Sequence, residues 1–122
     1  MQLDRFEAEV RQAPGGDLAI VDLRGEIDAR AEQALNRAYD EATRSKPSTV
    51  LFHFGQVDYI NSTGIALIVG LLARARTEHR SVQACGLSSH YRHIFEITRL
   101  ADFLRIVPDE PAALAAGGAI AP

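Results

Sequence analysis

The alternation of apolar and polar positions divides this chain into strands and helices. In FEAEVR, over residues 6–11, Phe6, Ala8 and Val10 alternate with charged residues. That period of two predicts an edge or half-buried strand. Pro14-Gly15-Gly16-Asp17 is a turn signal. The apolar run behind it, 18–23, predicts a second strand that pairs back on the first and ends at Gly25. Ala31, Leu35, Ala38, Tyr39 and Ala42 recur at helical spacing over 29–45, with Asp28 placed as N-cap and Lys46-Pro47 as the stop. TVLFHF, over 49–54, is short and apolar enough for a central strand covered on both faces. A connection over 55–60 then leads to a helix over 63–78. Next come a strand over 81–85, a helix over 90–98, a strand over 103–107 and a short helix over 111–116. Residues 117–122 are expected to form a frayed tail.

The resulting order, β-β-α-β-α-β-α-β-α, predicts an α/β fold. Its sheet is mixed and mostly parallel, with right-handed crossovers, an N-terminal antiparallel hairpin and about four helices packed against it. A length of 122 residues suits one domain, placed over 1–116 with 117–122 as the tail. In such sheets the functional crevice lies beyond the carboxyl ends of the strands. Two strand-to-helix connections reach that edge: Gly25-Glu26-Ile27-Asp28, and the segment from Asp58 to Gly64.

Composition narrows the function classes. At 47% hydrophobic and 24% charged, the chain can build a core without disulfides or a structural metal. The net charge of −3 is mixed along the sequence, and the lack of a basic block argues against nucleic-acid binding. A single cysteine, Cys85, fits a reducing compartment. MQLDRFEAEVRQ lacks the apolar centre of a signal peptide. The apolar run over 65–73 is far short of the roughly 20 residues of a membrane span. These readings make the protein cytoplasmic, with no direct membrane insertion. They also void the sequon Asn61-Ser62-Thr63, since only a secreted chain meets the glycosylating enzyme.

Candidate chemistry concentrates in Asn61-Ser62-Thr63-Gly64, which precedes the longest apolar run of the chain. As structure alone, Asn or Ser caps a helix and Gly64 allows close packing. A cap needs one such side chain, however, and this tip has two hydroxyls and a glycine. A helix N-terminus also tolerates negative charge. A phosphate on Ser62 would therefore leave the domain intact and act on any partner laid over the tip. Behind the tip, a helical wheel assigns Ile65, Ile68, Val69, Leu72 and Ala75 to the core. It sets Leu67 and Leu71 on another side, separated by Ala66, Gly70 and Ala73. Leu67 and Leu71 are then either a contact patch or a surface covered by a neighbouring element. Glu26 and Asp28 are either a solvated turn with Asp28 as a cap or, if their strand adjoins the central one, a turn that brings the Asp28 carboxylate close to Ser62.

Other chemistries find little support. No phosphate-cradling glycine loop is present. His90 and His93 share a helix face but lack further ligands, so neither a metal nor any cofactor is expected. Ser62, His53 and Asp28 could make a triad on paper, but the Gly-x-Ser-x-Gly elbow is missing. The chain is therefore read as non-enzymatic.

Gly25-Glu26-Ile27-Asp28, a central strand, then Asp58-Tyr59-Ile60-Asn61-Ser62-Thr63-Gly64-Ile65 at a helix start resemble the STAS domain family over most of the chain, from about Phe6 to Ala116. The family includes anti-sigma factor antagonists and the cytoplasmic tails of sulfate transporters. In the stand-alone antagonists the motif is usually Asp-Ser-Ser-Gly, and its first serine is phosphorylated by an anti-sigma factor that is a serine kinase. The resemblance implies that Ser62 is the phosphoacceptor, with Thr63 the second candidate, and that Gly64 and Asp28 match the family's glycine and aspartate. It implies partner switching. The unphosphorylated form binds the kinase and releases a sigma factor, phosphorylation ends binding, and a serine phosphatase resets the switch. Glu26, Asp28, Asn61, Ser62, Thr63, Gly64, Leu67 and Leu71 then form the expected contact surface. Asn61 departs from the usual Asp. It also points to the family's scaffolds and docking subunits, such as stressosome-type components or accessory subunits of lipid-transport ATPases.

Overall fold

The hairpin predicted from FEAEVR is present: β1 (Phe6–Gln12) pairs antiparallel with β2 (Leu18–Ile27). β3 (Thr49–Ile60), β4 (Ser81–Cys85) and β5 (Arg105–Ile106) then add in parallel, giving the order β1-β2-β3-β4-β5. A computed structural model describes residues 5–118.

This order has a geometric consequence. Each parallel strand lies beside its predecessor, so successive right-handed crossovers put every connecting helix on one face. α1 (Glu32–Thr43), α2 (Ser62–Thr77) and α3 (Ser89–Ile97) all pack there. Val21, Val50, Phe52, Phe54, Val82 and Ala84 meet Leu35, Tyr39, Ile68, Leu72 and Phe95 in the main core. The period of two sends the intervening residues to the other face. There Leu18, Ile20, Leu51, Cys85 and Val107 pack with Ala113 of α4 (Glu110–Gly118). The α/β class, hairpin and four helices match the expectation from the sequence.

Several boundaries differ from it. Gly25 does not end β2. Its φ is +98°, and a Cβ there would stand 1.9 Å from the Arg5 carbonyl oxygen, so glycine lets the strand continue past that contact. β3 runs through the predicted connection to Ile60, with two register shifts against β2. Between His53 and Gln56, and again between Val57 and Tyr59, β3 carries one more residue than its partner, the signature of β-bulges. The predicted helix over 29–45 is divided: a 3-10 turn (Ala29–Ala31) precedes α1, and Asp28 caps that turn. β5 has two residues where five were expected: Phe103 closes a 3-10 turn (Leu100–Asp102), its amide donating to the Leu100 carbonyl (2.9 Å), and Leu104 bends the chain before the strand begins. α4 continues to Gly118; the remainder of the expected tail lies outside the described residues.

Candidate functional site

The start of α2 is fixed by contact with the end of β2. The backbone amide of Asn61 donates to the Ile27 carbonyl (3.2 Å). A Cβ on Gly64 would lie 2.0 Å from that same oxygen, so only glycine lets the first helical turn press against the strand. The parallel register pairs Glu26 with Tyr59 and Ile27 with Ile60. Asp28 and Asn61 are thus the next residues after two adjacent strands, both at the carboxyl edge of the sheet. From below, the Ile60 amide donates to the Tyr91 hydroxyl of α3 (2.9 Å), tying the end of β3 to a third element.

Within the tip, capping falls to Asn61. Its backbone is extended, its Oδ1 accepts from the Gly64 amide (2.8 Å), and its carbonyl accepts from Ile65 (2.9 Å). Ser62 and Thr63 are exposed, and among the described residues neither hydroxyl has a hydrogen-bond partner. No acidic residue lies in the first turn, so no side chain of that turn offsets the positive end of the helix dipole.

The carboxylates beside the tip are already engaged. Arg30 donates from its amide (2.9 Å) and Nε (3.2 Å) to Asp28 Oδ1, and from Nη2 to Oδ2 (2.6 Å). These bonds hold the Asp28 carboxyl below its ordinary range. Glu26 Oε1 lies 3.6 Å from Arg30 and 3.5 Å from Arg5. The structure therefore brings Asp28 to the site, but its oxygens serve Arg30 and the 3-10 turn.

Along α2 the exposed line runs Ser62, Ala66, Val69, Gly70 and Ala73. Val69, assigned to the core by the wheel, is 45% exposed, and Leu71, assigned to the candidate patch, is buried at 3%. Leu71 consequently leaves the contact surface. Leu67 is half-buried against the core, with one side still at the surface. The wheel fails here because α2 is apolar nearly all round, so apolarity alone does not orient it. Tyr59, 50% exposed at the end of β3, was missed with Val69 and Arg30. Tyr59 falls within the predicted connection, and only the bulges of β3 bring it to the edge.

The paper triad is not assembled. His53 belongs to the other face of the sheet, where its Nδ1 accepts from the Gly55 amide (3.1 Å). There it lines a groove of about 250 Å³ with Glu7, Glu9, Asp22, Arg24 and Gln56. His90 and His93 are exposed on α3, and among the described residues no group of three or more metal-ligating side chains is found.

The fold has counterparts among known proteins. The family model described as "Mlab, STAS domain" matches residues 10–108. The chain belongs to the STAS domain family. This STAS domain is 29% identical over 84 residues to the anti-sigma-B factor antagonist of Listeria monocytogenes, covering 69% of this chain and 74% of that protein. An anti-sigma factor antagonist from Mycobacterium paratuberculosis superposes with a TM-score of 0.79 at 18% identity, over 93% of this chain and 95% of its own. The Bacillus cell fate determinant SpoIIAA in its phosphorylated form gives 0.68 at 16% identity, over 89% and 98%. At those identities the structural likeness is one of fold. Within the STAS domain, the two segments that resembled the family motifs lie side by side on adjoining strand ends. Among the described residues no helix is long and apolar enough to cross a membrane.

Proposed function

We propose that this STAS domain is an anti-sigma factor antagonist whose binding is switched by phosphorylation of Ser62. The observation that carries the reading is the division of labour at the tip: Asn61 caps α2, and the Ser62 hydroxyl is exposed and uncommitted. A serine kinase can take that hydroxyl without unmaking a cap. The γ-phosphoryl of ATP passes to Ser62 Oγ, the hydroxyl proton leaves to the kinase's base, and ADP departs.

Unphosphorylated, the domain presents Glu26, Asp28, Asn61, Ser62, Thr63, Gly64, Leu67 and, in place of Leu71, Val69 to an anti-sigma factor that is itself the kinase. Ala66, Gly70 and Ala73 have small side chains, so a partner's backbone can approach α2 closely along the same line. Phosphate brings about two negative charges to that surface, and a seated partner would have to desolvate them. The helix N-terminus offsets part of the charge within the domain itself, so release need not cost stability. A serine phosphatase restores the binding form, and the cycle belongs in the cytoplasm. The names of the sequence relatives, anti-sigma-B factor antagonists, support this class of partner.

The STAS resemblance implies a second reading: a docking subunit that uses the same tip against a transport ATPase. Asn61 suits that role, since a neutral cap performs the structural task without the usual aspartate. Incubation with the cognate anti-sigma kinase and ATP, followed by phosphosite mapping, separates the two. Phosphate on Ser62 is expected. An unmodified tip, with stable binding to an ATPase instead, would overturn the switch in favour of docking.

A further inference from the structure

The sheet face opposite α1–α3 has α4 as its covering helix, and that helix is held lightly. Over residues 110–115 its buried contact is alanine: Ala113 is fully buried and Ala112 partly so, against the cluster of Leu18, Ile20, Leu51, Cys85 and Val107. Its large apolar side chain, Leu114, is 37% exposed instead.

What joins α4 to the sheet electrostatically is Arg11 of β1. Arg11 donates from Nε and Nη2 to the two oxygens of Asp22 (2.5 and 2.9 Å), and from Nη1 and Nη2 to the two oxygens of Glu110 (3.2 and 2.6 Å). Arg11 and Asp22 both belong to the β1–β2 hairpin, so their pair survives without α4. Glu110 is the member that can leave while Arg11 keeps a carboxylate. The Val107 amide is fixed to the Ala84 carbonyl (2.8 Å), while Asp109 belongs to α4, its Oδ1 accepting from the Ala112 amide (2.9 Å) and its carbonyl from Ala113 (3.1 Å). Exposed Pro108 joins the two anchored residues.

We propose that α4 with its cap Asp109 is a releasable cover, lifting as a unit about Pro108 to bare Ile20, Leu51 and Cys85 while the sheet and α1–α3 stay folded. Closed, it hides an apolar strip on the face away from Ser62. The Cys85 thiol beneath reports the closed state. Burial pushes its pKa up to about 11, with the Glu110 and Asp109 carboxylates adding to the effect.

Hydrogen exchange and Cys85 alkylation on the full chain test the cover. Amides of α4 are expected to exchange about tenfold or more faster than those of β4, and Glu110→Gln to speed α4 further without altering β2–β4. Fraying of the helix end alone would also speed exchange, so alkylation of wild type in sub-denaturing urea decides. Local lifting predicts a rate nearly independent of urea, because little surface is exposed. A urea dependence as steep as that of global unfolding would overturn the proposal, as would equal acceleration of α4 and β4 by Glu110→Gln.

Discussion

A capping side chain must be engaged and a phosphoacceptor must be free, so one residue serves poorly as both. The start of α2 assigns the tasks to neighbours, Asn61 bonded to the Gly64 amide and Ser62 open to solvent. Two residues of α2 further test how this surface is built. Leu71 is core, and Leu71→Ala should cost about 2–5 kcal/mol in urea unfolding. Val69 faces outward, so Val69→Glu should change stability by about 0.5 kcal/mol or less. It should nevertheless weaken kinase binding about tenfold or more in a calorimetric titration. The opposite pattern, a stable Leu71→Ala and an unfolded Val69→Glu, would mean that α2 is rotated from the orientation described. At this scale the sequence marked 61–64 as a helix start with close packing at Gly64, but left open which of Asn61 and Ser62 is the cap, because both side chains can accept a free amide proton. Arg30 was not legible as the partner of Asp28: a charged residue two positions on reads as a solvated surface.

At the scale of elements, local pattern located each strand and α-helix among the described residues but misjudged where β2 and β3 end. Gly25 and the Gly55–Asp58 region carry turn-forming residues, yet both lie within strands. The reason is reciprocal support. β2 and β3 supply each other's backbone partners beyond the point where either would stop alone, and two bulges absorb the mismatched residues. Those bulges matter for function, since the lengthened strands carry Asp28 and Asn61 out to the same edge. The 3-10 turn over Ala29–Ala31 was equally hidden, because its alanines fit an α-helix just as well. β5 shows the converse: its apolar residues suggested a longer strand, but Phe103 is exposed and Leu104 packs into the core from a turn.

For the whole molecule, the sequential strand order produces two unlike faces. One is covered by three helices and carries the tip of α2. The other is apolar where α4 lies and polar where it does not, with Arg11, Asp22 and Glu110 at the boundary. That charge cluster gives a pH dependence. Hydrogen bonds from Arg11 lower the pKa of both Asp22 and Glu110 in the folded state. A depressed carboxylate pKa contributes stability that is present above the unfolded values, about 3.9 for Asp and 4.3 for Glu. The contribution is lost as pH falls from there through the folded values. Urea midpoints should accordingly be flat near neutrality and decline below about pH 5, and Arg11→Met should make the decline shallower. Parallel curves for the two proteins would show that Arg11 does not couple these carboxylates to folding. The one-sided architecture itself could be anticipated only as far as the alternation of strands and helices. The strand order, which decides where the helices go, is set by pairing between distant segments.

The central claim is that charge at Ser62 acts on the partner and not on the fold. It is tested most directly by measuring the affinity of wild type and Ser62→Asp for the anti-sigma kinase, with thermal melts of both alongside. The account predicts binding weakened about tenfold or more by the substitution, with melting temperatures within about 2 °C of each other. Equal affinities, or a loss of binding that follows a comparable loss of stability, would contradict it.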